Sequence, residues 1–225
     1  MIPWLHGDAP FPPVSKALRS PNGLLCAGGD LSPRRLVEAY SHGIFPWFSD
    51  GDPVLWWSPD PRMVLFPGEL KVARSLRKTL QRGVYETRFD TSFSDVMHEC
   101  AAPRDGQSGT WIMPEMIAAY TKLHHMGFAH SVESWLDGAL AGGLYGIALG
   151  KVFFGESMFS RATDASKVAL VRLVERLTAE GFRVIDCQQA TAHLASLGAR
   201  EIPRKEFSKL LQESIQYPPS ASGRW

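Results

Sequence analysis

Cysteine is scarce in this chain of 225 residues: Cys26, Cys100 and Cys187 are three, odd in number and far apart. That spacing makes neither a disulfide framework nor a metal-ligand set, and it suits a reducing compartment such as the cytoplasm. An excess of one charge is missing too. The 24 Lys and Arg stand against 23 Asp and Glu, for a net +1. No overall field draws such a protein onto a polyanion, so binding of that kind needs a local patch. No apolar run approaches the roughly 20 residues of a membrane-spanning helix, and no membrane partner is expected. The opening MIPWLHGDAPFPP has neither a charged leader nor an apolar stretch behind it, so it is not expected to direct secretion. Gly-x-Ser-x-Gly and the Walker phosphate loop are absent. The glycines of GLLCAGGDLSP do not follow a strand in a βαβ unit, which excludes a dinucleotide fingerprint. His124, His125 and His130 have no companion cluster, and no metal is expected.

Aromatic surface is present, and in an odd place. IFPWFSDGDPVLWWSPDP, residues 44–61, holds Trp47, Trp56 and Trp57, three of the seven tryptophans, together with Phe45, Phe48 and four prolines. Prolines and glycines make this an irregular loop rather than a strand. Its rings suit base stacking, worth roughly 1–3 kcal/mol per base. They equally suit the core of a small domain, so one or two exposed rings among buried ones are expected. Trp111, in GTWI, is a further isolated ring beside a loop.

Elements follow from caps and periodicity. Ser32 as N-cap, Pro33 at the first helical position and Gly43 as terminator predict a short helix. Pro59 and Pro61 close the first segment, which places a boundary between a small domain at 1–62 and a second domain at 63–225. The spacing of Val72, Leu76 and Leu80 predicts a helix over 69–83, with Arg74, Arg77, Lys78 and Arg82 largely on its other faces. Those cations can contact phosphates, each contact steepening the salt dependence of binding; a solvated helix face is the plainer alternative. VYETRFD alternates like a strand, and helices are expected from Ser92 and from Pro114. FAHSVESWL, ALAGGLYGIAL and KVFFGESMF then read as three strands, with Asp137-Gly138 turning between the first two. A long helix follows, capped by Thr163 or Asp164 and ended by Gly181, then the buried strand FRVIDCQ and two short helices.

Three strands, a helix, a strand and a short helix resemble the core of the GNAT (acyl-CoA N-acyltransferase-like) fold. The class is therefore α+β: a small N-terminal domain plus a GNAT-like domain. That resemblance implies acyl transfer to an amine. Its usual coenzyme A loop, Arg/Gln-x-x-Gly-x-Gly/Ala before the long helix, is replaced here by FSRATDASK.

Three polar residues stand in apolar strands, where an unpaired charge is expensive. Asp186 and Gln188 alternate onto one face of VIDCQQ. In a transferase they can take a proton from an attacking amine or orient it; a turn-capping aspartate is the alternative. Glu156, after Gly155, is suited to a cationic amine or to a structural ion pair. Phe153, Ser157 and Met158 beside it can border an adaptable apolar pocket or simply pack. Cys187 points the other way and reads as core.

Long motifs then coincide. PNGLLCAGGDLSPRRLVEAYSHGIFPWFSDGDPVLWWSPDPR, GTWI, FAHSVESW, GGLYGIALGKVFFGESMFSRATDASKVAL and IDCQQATAHLASLGAREIPR together resemble the leucyl/phenylalanyl-tRNA–protein transferase family over about residues 21–207. Thr191 departs from the pattern, being Asn in some members. The resemblance implies transfer of Leu or Phe, and also Met, from aminoacyl-tRNA to the N-terminal Arg or Lys of a protein, marking it for N-end-rule degradation. No cofactor is implied, because the ester carries the energy. Trp47 and Trp111 would hold the 3′ adenosine; Phe153, Ser157 and Met158 would border the Leu/Phe pocket; Glu156, Asp186 and Gln188 would stand where amine meets ester. Arg74, Arg77, Lys78 and Arg82 would follow the acceptor-stem phosphates. A cytoplasmic monomer is expected. A coenzyme A-dependent GNAT enzyme and a non-catalytic nucleic-acid-binding module are the competing readings.

Overall fold

The computed structural model describes residues 2–103, 112–216, 223 and 225. In the N-terminal segment, β1 (Trp4–Leu5), β2 (Leu24–Gly28), helix α1 (Pro33–Ser41), β3 (Phe45–Pro46) and β4 (Leu55–Trp57) form a four-stranded sheet, order β1-β2-β4-β3, with one helix. Ser32 Oγ accepts from Arg35 N at 3.4 Å, Pro33 opens α1, and Gly43 at φ 72° turns the chain after it. Leu36, Ala39 and Tyr40 recur at helical spacing and are all buried, so α1 packs by one face.

The remaining strands build one larger sheet. They are β5 (Arg62–Leu65), β6 (Glu86–Phe89), β7 (Ala129–Leu136), β8 (Ala139–Leu149), β9 (Val152–Ser160), β10 (Val184–Gln188) and β11 (Arg200–Ile202), in the order β11-β5-β10-β9-β8-β7-β6. Among the described residues of this sheet, only β9 and β10 run parallel, and the helix that makes their crossover is α5 (Ala165–Ala179). The other α-helices among the described residues are α2 (Arg74–Arg82), α3 (Phe93–Ala101), α4 (Pro114–His125), α6 (Ala192–Ser196) and α7 (Arg204–Ser214). Asp137 and Gly138 both take positive φ, 50° and 79°, the conformation a two-residue hairpin between β7 and β8 requires.

Alternation along the strands divides the core in two. Met63, Leu65, Ile185 and Phe153 pack with Leu170, Leu173 and Leu177 of α5 on one face. Val64, Val184, Val152 and Phe154 pack on the other, in a cluster that also takes in Tyr40, Trp56, Tyr120 and Phe207. The small sheet and α1 therefore share one apolar core with the far face of the large sheet.

Three expectations need correction. Within 44–61, expected as an irregular loop, Phe45–Pro46 and Leu55–Trp57 are the antiparallel strands β3 and β4, and Pro46 is tolerated because β3 is the edge strand, where a missing N–H costs little. The helix expected over 69–83 begins at Arg74. Upstream, the Lys71 N–H donates to Leu197 O at 2.8 Å, and that tether holds the backbone out of the helix. Leu76 still packs on Val168 and Val171 of α5 as its spacing predicts. The caps expected at Ser92 and Asp164 occupy those positions without making a capping bond. Asp164 instead accepts from Lys167 Nζ at 2.9 Å and Thr79 Oγ1 at 3.1 Å.

Candidate active site

Two irregularities in neighbouring strands open the sheet. Along β8 and β9, Tyr145 faces Ser157 and Gly146 faces Gly155, so Glu156 is the extra residue of a bulge. Such a bulge re-aims a side chain. Phe154 and Phe159 accordingly join the same apolar cluster, although strict alternation would put them on opposite faces. In β10 the register against β5 shifts between Asp186 and Gln188, and Gln188 takes φ 63°. Parallel pairing of β9 with β10 ends at Phe154 and Asp186.

A cavity of about 320 Å³ lies there, lined by Phe153, Glu156, Ser157 and Met158 from β9, Leu170 and Leu173 from α5, and Cys187, Gln188 and Thr191. Sites for small ligands begin at roughly 300 Å³, so the space suits one compact group. Phe153 is fully buried; Ser157 and Met158 are half-buried. Thr191 Oγ1 caps α6, accepting from Leu194 N at 3.1 Å.

Glu156 is half-buried and collects three donors. Tyr40 Oη donates to Oε1 at 2.8 Å, Gln188 Nε2 to Oε1 at 2.7 Å and Tyr120 Oη to Oε2 at 3.3 Å. The two phenols also meet each other, so their two protons are shared among three contacts. Burial, with the neighbouring Asp186 charge, pushes the Glu156 carboxyl up to about 7 against the opposing bonds from Tyr40, Tyr120 and Gln188. Burial, and then the Glu156 charge, hold both phenols well above their usual range. They remain protonated donors at any working pH. Burial also pushes the Cys187 thiol up to about 12, with the Asp186 charge adding to it, so it lines the cavity as an inert group.

Asp186 is not among the residues that line the cavity. It is fully buried, as is Arg62, which donates through Nε to Oδ1 at 2.7 Å and through Nη2 to Oδ2 at 2.6 Å. The guanidinium lies between the rings of Phe45 and Phe207, 4.8 and 4.9 Å from their centroids. Asp186 Oδ1 also accepts the backbone N–H of Gln188 at 2.9 Å. The carboxylate thus pins Gln188 in a left-handed conformation that a side chain seldom adopts.

Trp47 is 40% exposed and meets Trp57 edge-on at 5.4 Å. Trp57 Nε1 donates to Trp47 O at 2.6 Å, and Trp56 is buried with Nε1 on Gly28 O at 2.8 Å. The 44–61 segment is therefore part strand, part turn, with some rings in the core and Trp47 at the surface. A groove of about 330 Å³ runs from Trp47 and Trp57 past Pro59 and Pro61 to Gln189 and Ala190, the residues that directly follow Gln188. Arg74, Arg77, Lys78 and Arg82 are exposed on α2 and line neither the groove nor the cavity. Trp111 lies outside the described residues. Among the described residues no group of three or more His, Cys, Asp and Glu side chains could hold a metal ion, and no helix is long and apolar enough to cross a membrane.

Sequence reasoning missed Arg62, Tyr40 and Tyr120. Tyr40 has a signal in hindsight, as the polar-tipped member of the buried α1 face. Arg62 has none, because nothing in PDPR distinguishes a buried arginine from a surface one.

An apolar cavity at a split between parallel strands, beside a raised carboxyl and a pinned amide, suits acyl transfer to an amine. Fold and site define a GNAT-like acyltransferase with a small N-terminal domain. The family profile of leucyl/phenylalanyl-tRNA protein transferase matches residues 64–212, and that of its N-terminal domain matches residues 29–60. A leucyl/phenylalanyl-tRNA–protein transferase of Nitrosospira multiformis is 68% identical over 217 residues, 96% of this chain and 94% of that protein. One from Nitrosomonas europaea is 63% identical over 225 residues, 100% and 95% of the two chains. One from Chromobacterium violaceum is 63% identical over 218 residues, 97% and 94%. This chain belongs to the leucyl/phenylalanyl-tRNA–protein transferase family and is an enzyme that moves an aminoacyl group from tRNA to protein N-termini.

Proposed function

We propose that the cavity takes the Leu, Phe or Met side chain of an aminoacyl-tRNA and that the acceptor is a protein beginning with Arg or Lys, which the transfer marks for N-end-rule degradation. One observation carries this reading: the cavity opens at the bulge where Glu156 and Gln188 meet at 2.7 Å. Phe153, Ser157 and Met158 border the donor side chain. The acceptor amine attacks the ester carbonyl carbon. A C–N bond forms, the C–O bond breaks, and the 3′ hydroxyl of the tRNA leaves with a proton. Glu156, titrating near 7, accepts a hydrogen bond and a proton from the amine, whose ordinary value is about 7.7–8.0. Gln188 orients the reacting groups. Asp186 is a positioning residue that acts through the backbone of Gln188. Because the ester is already activated, placement supplies much of the rate.

The division at 62/63 falls inside β5, and the first segment lends Arg62 to Asp186 and Tyr40 to Glu156, so the two segments share the site. Residues 1–62 present Trp47 to the terminal adenosine, with Trp111 as a second ring, and residues 63–225 hold the reacting groups. Arg74, Arg77, Lys78 and Arg82 meet backbone phosphates of the acceptor stem, a contact that reads shape rather than sequence. The enzyme works as a cytoplasmic monomer with no added cofactor.

The test is transfer of labelled leucine from Leu-tRNA to a peptide beginning with Arg, without ATP, metal or coenzyme A. Labelling of the Arg peptide, with none of its N-acetylated form, is the expected result. Absence of labelling while tRNA still binds would leave a nucleic-acid-binding module and sink the reading. Trp47→Ala is expected to weaken donor binding about 5- to 150-fold, the equivalent of roughly 1–3 kcal/mol for one stacked base. Its melting temperature should fall only modestly, because the ring is 40% exposed and its buried contact is edge-on to Trp57. Filter binding and thermal unfolding check the two together.

A further inference from the structure

Phe153 lines the cavity, and its ring is backed by Gly146 and Trp225. A Cβ on Gly146 would stand 2.5 Å from Phe153 Cε1 and 2.6 Å from Cζ, so the β8 backbone closes one approach. Trp225 lies behind the ring, stacked at 5.7 Å and 29°.

Trp225 is itself clamped from several elements. Its ring stacks on His130 at 4.2 Å and 7°, and the Arg176 guanidinium lies 5.1 Å over it. Its backbone N–H donates to Asp90 Oδ2 at 3.2 Å, an oxygen that His130 Nδ1 also meets at 2.8 Å. Asp90 Oδ1 accepts from Ser131 N at 2.9 Å. None of Trp225, His130, Asp90 and Arg176 lines the cavity. The proposed reaction makes no use of this clamp, and the ring it presses on is one that the donor side chain would touch.

We infer that Trp225 is a specificity-determining positioning residue: by holding Phe153 forward it sets the depth of the pocket and so the choice among donor side chains. The inference rests on the proposed use of the cavity. With a large ring behind it, Phe153 has no room to withdraw. Emptying that space lets the ring retreat and deepens the pocket, and a longer donor side chain gains. A difference of one methylene in an apolar pocket is worth roughly 10- to 200-fold in discrimination, so a modest retreat is measurable.

The experiment compares single-turnover transfer from Leu-tRNA and Phe-tRNA to one Arg-starting peptide by wild type, Trp225→Ala and Trp225→Phe, with melting temperatures alongside. The kcat/KM ratio of Phe to Leu donor is expected to rise about 10-fold in Trp225→Ala and to stay within about 2-fold of wild type in Trp225→Phe. Equal loss of both donors in Trp225→Ala, tracking a lowered melting temperature, means a purely structural role and overturns the inference. If the alanine variant does not fold, Trp225→Leu is read by the same ratio. Failure of the wild type to transfer either donor overturns the functional reading, and this inference with it. An unchanged ratio in an active variant overturns the inference alone.

Discussion

Arg62→Met should destabilise the protein by about 3–5 kcal/mol, because it leaves Asp186 charged, unpaired and buried. Both partners are fully buried, and two hydrogen bonds of 2.7 and 2.6 Å join them. Urea unfolding of the purified variant measures the loss. The double variant Arg62→Met/Asp186→Leu removes the orphaned charge and is expected to recover most of that stability, since apolar replacement of a buried pair is often near neutral. Activity should not recover with it. The Gln188 N–H then loses its acceptor at Asp186 Oδ1, and the left-handed backbone at φ 63° relaxes. A misplacement of about 1 Å at a reacting centre costs on the order of 10²-fold, and kcat/KM of the double variant should fall by that order. Recovery of stability and activity together would show that Asp186 does not position Gln188.

Glu156→Gln should lower transfer to Arg- and Lys-starting peptides about 10²- to 10⁴-fold, the usual contribution of a positioned proton acceptor. Binding of donor tRNA should change less than about 2-fold, because Trp47 and the groove beside it are intact; equal loss of both would remove the proposed role. The pH dependence carries a sign. The Glu156 carboxyl rises from 4.5 to about 7 on folding, so the folded protein holds its proton more tightly than the unfolded chain does. The protonated form therefore stabilises the fold below about 4.5. That stabilisation is lost progressively as pH rises to about 7, by up to about 3 kcal/mol at 1.36 kcal/mol per unit. Stability curves of the wild type and the Gln variant from pH 5 to 8 should diverge accordingly, with only the wild type losing stability from this group. For activity the carboxylate is the working form, so the wild-type rate has an ascending limb near pH 7. That limb disappears in the Gln variant, leaving the rise set by the acceptor amine.

Much of the fold could be read along the chain because its signals are local. Ser32 and Pro33 start α1, Asp137-Gly138 sets the β7–β8 hairpin, and the spacing of Val168, Val171 and Val174 builds α5. Neighbours within four residues decide such features. The short strands β5 and β11 escaped, since four fully buried residues in Arg62–Leu65 show no alternation and three in Arg200–Ile202 are too few to show any. The long motifs identified the family from the sequence alone, and with it came Glu156, Asp186 and Gln188 as residues of interest.

What those three residues touch was decided only in three dimensions. Arg62 reaches Asp186 across 124 positions of sequence, and Tyr40 reaches Glu156 across 116. No periodicity reports a contact of that span. The bulge at Glu156 and the turned backbone at Gln188 are properties of pairing between strands, since one extra residue is extra only against a partner strand. Sequence determined which side chains were costly to place in apolar strands. Tertiary packing decided that one of them is sealed with an arginine between two rings, while another faces a cavity with its carboxyl raised to about 7. The difference between them is solvation and charge environment, and both are set by residues distant in the chain.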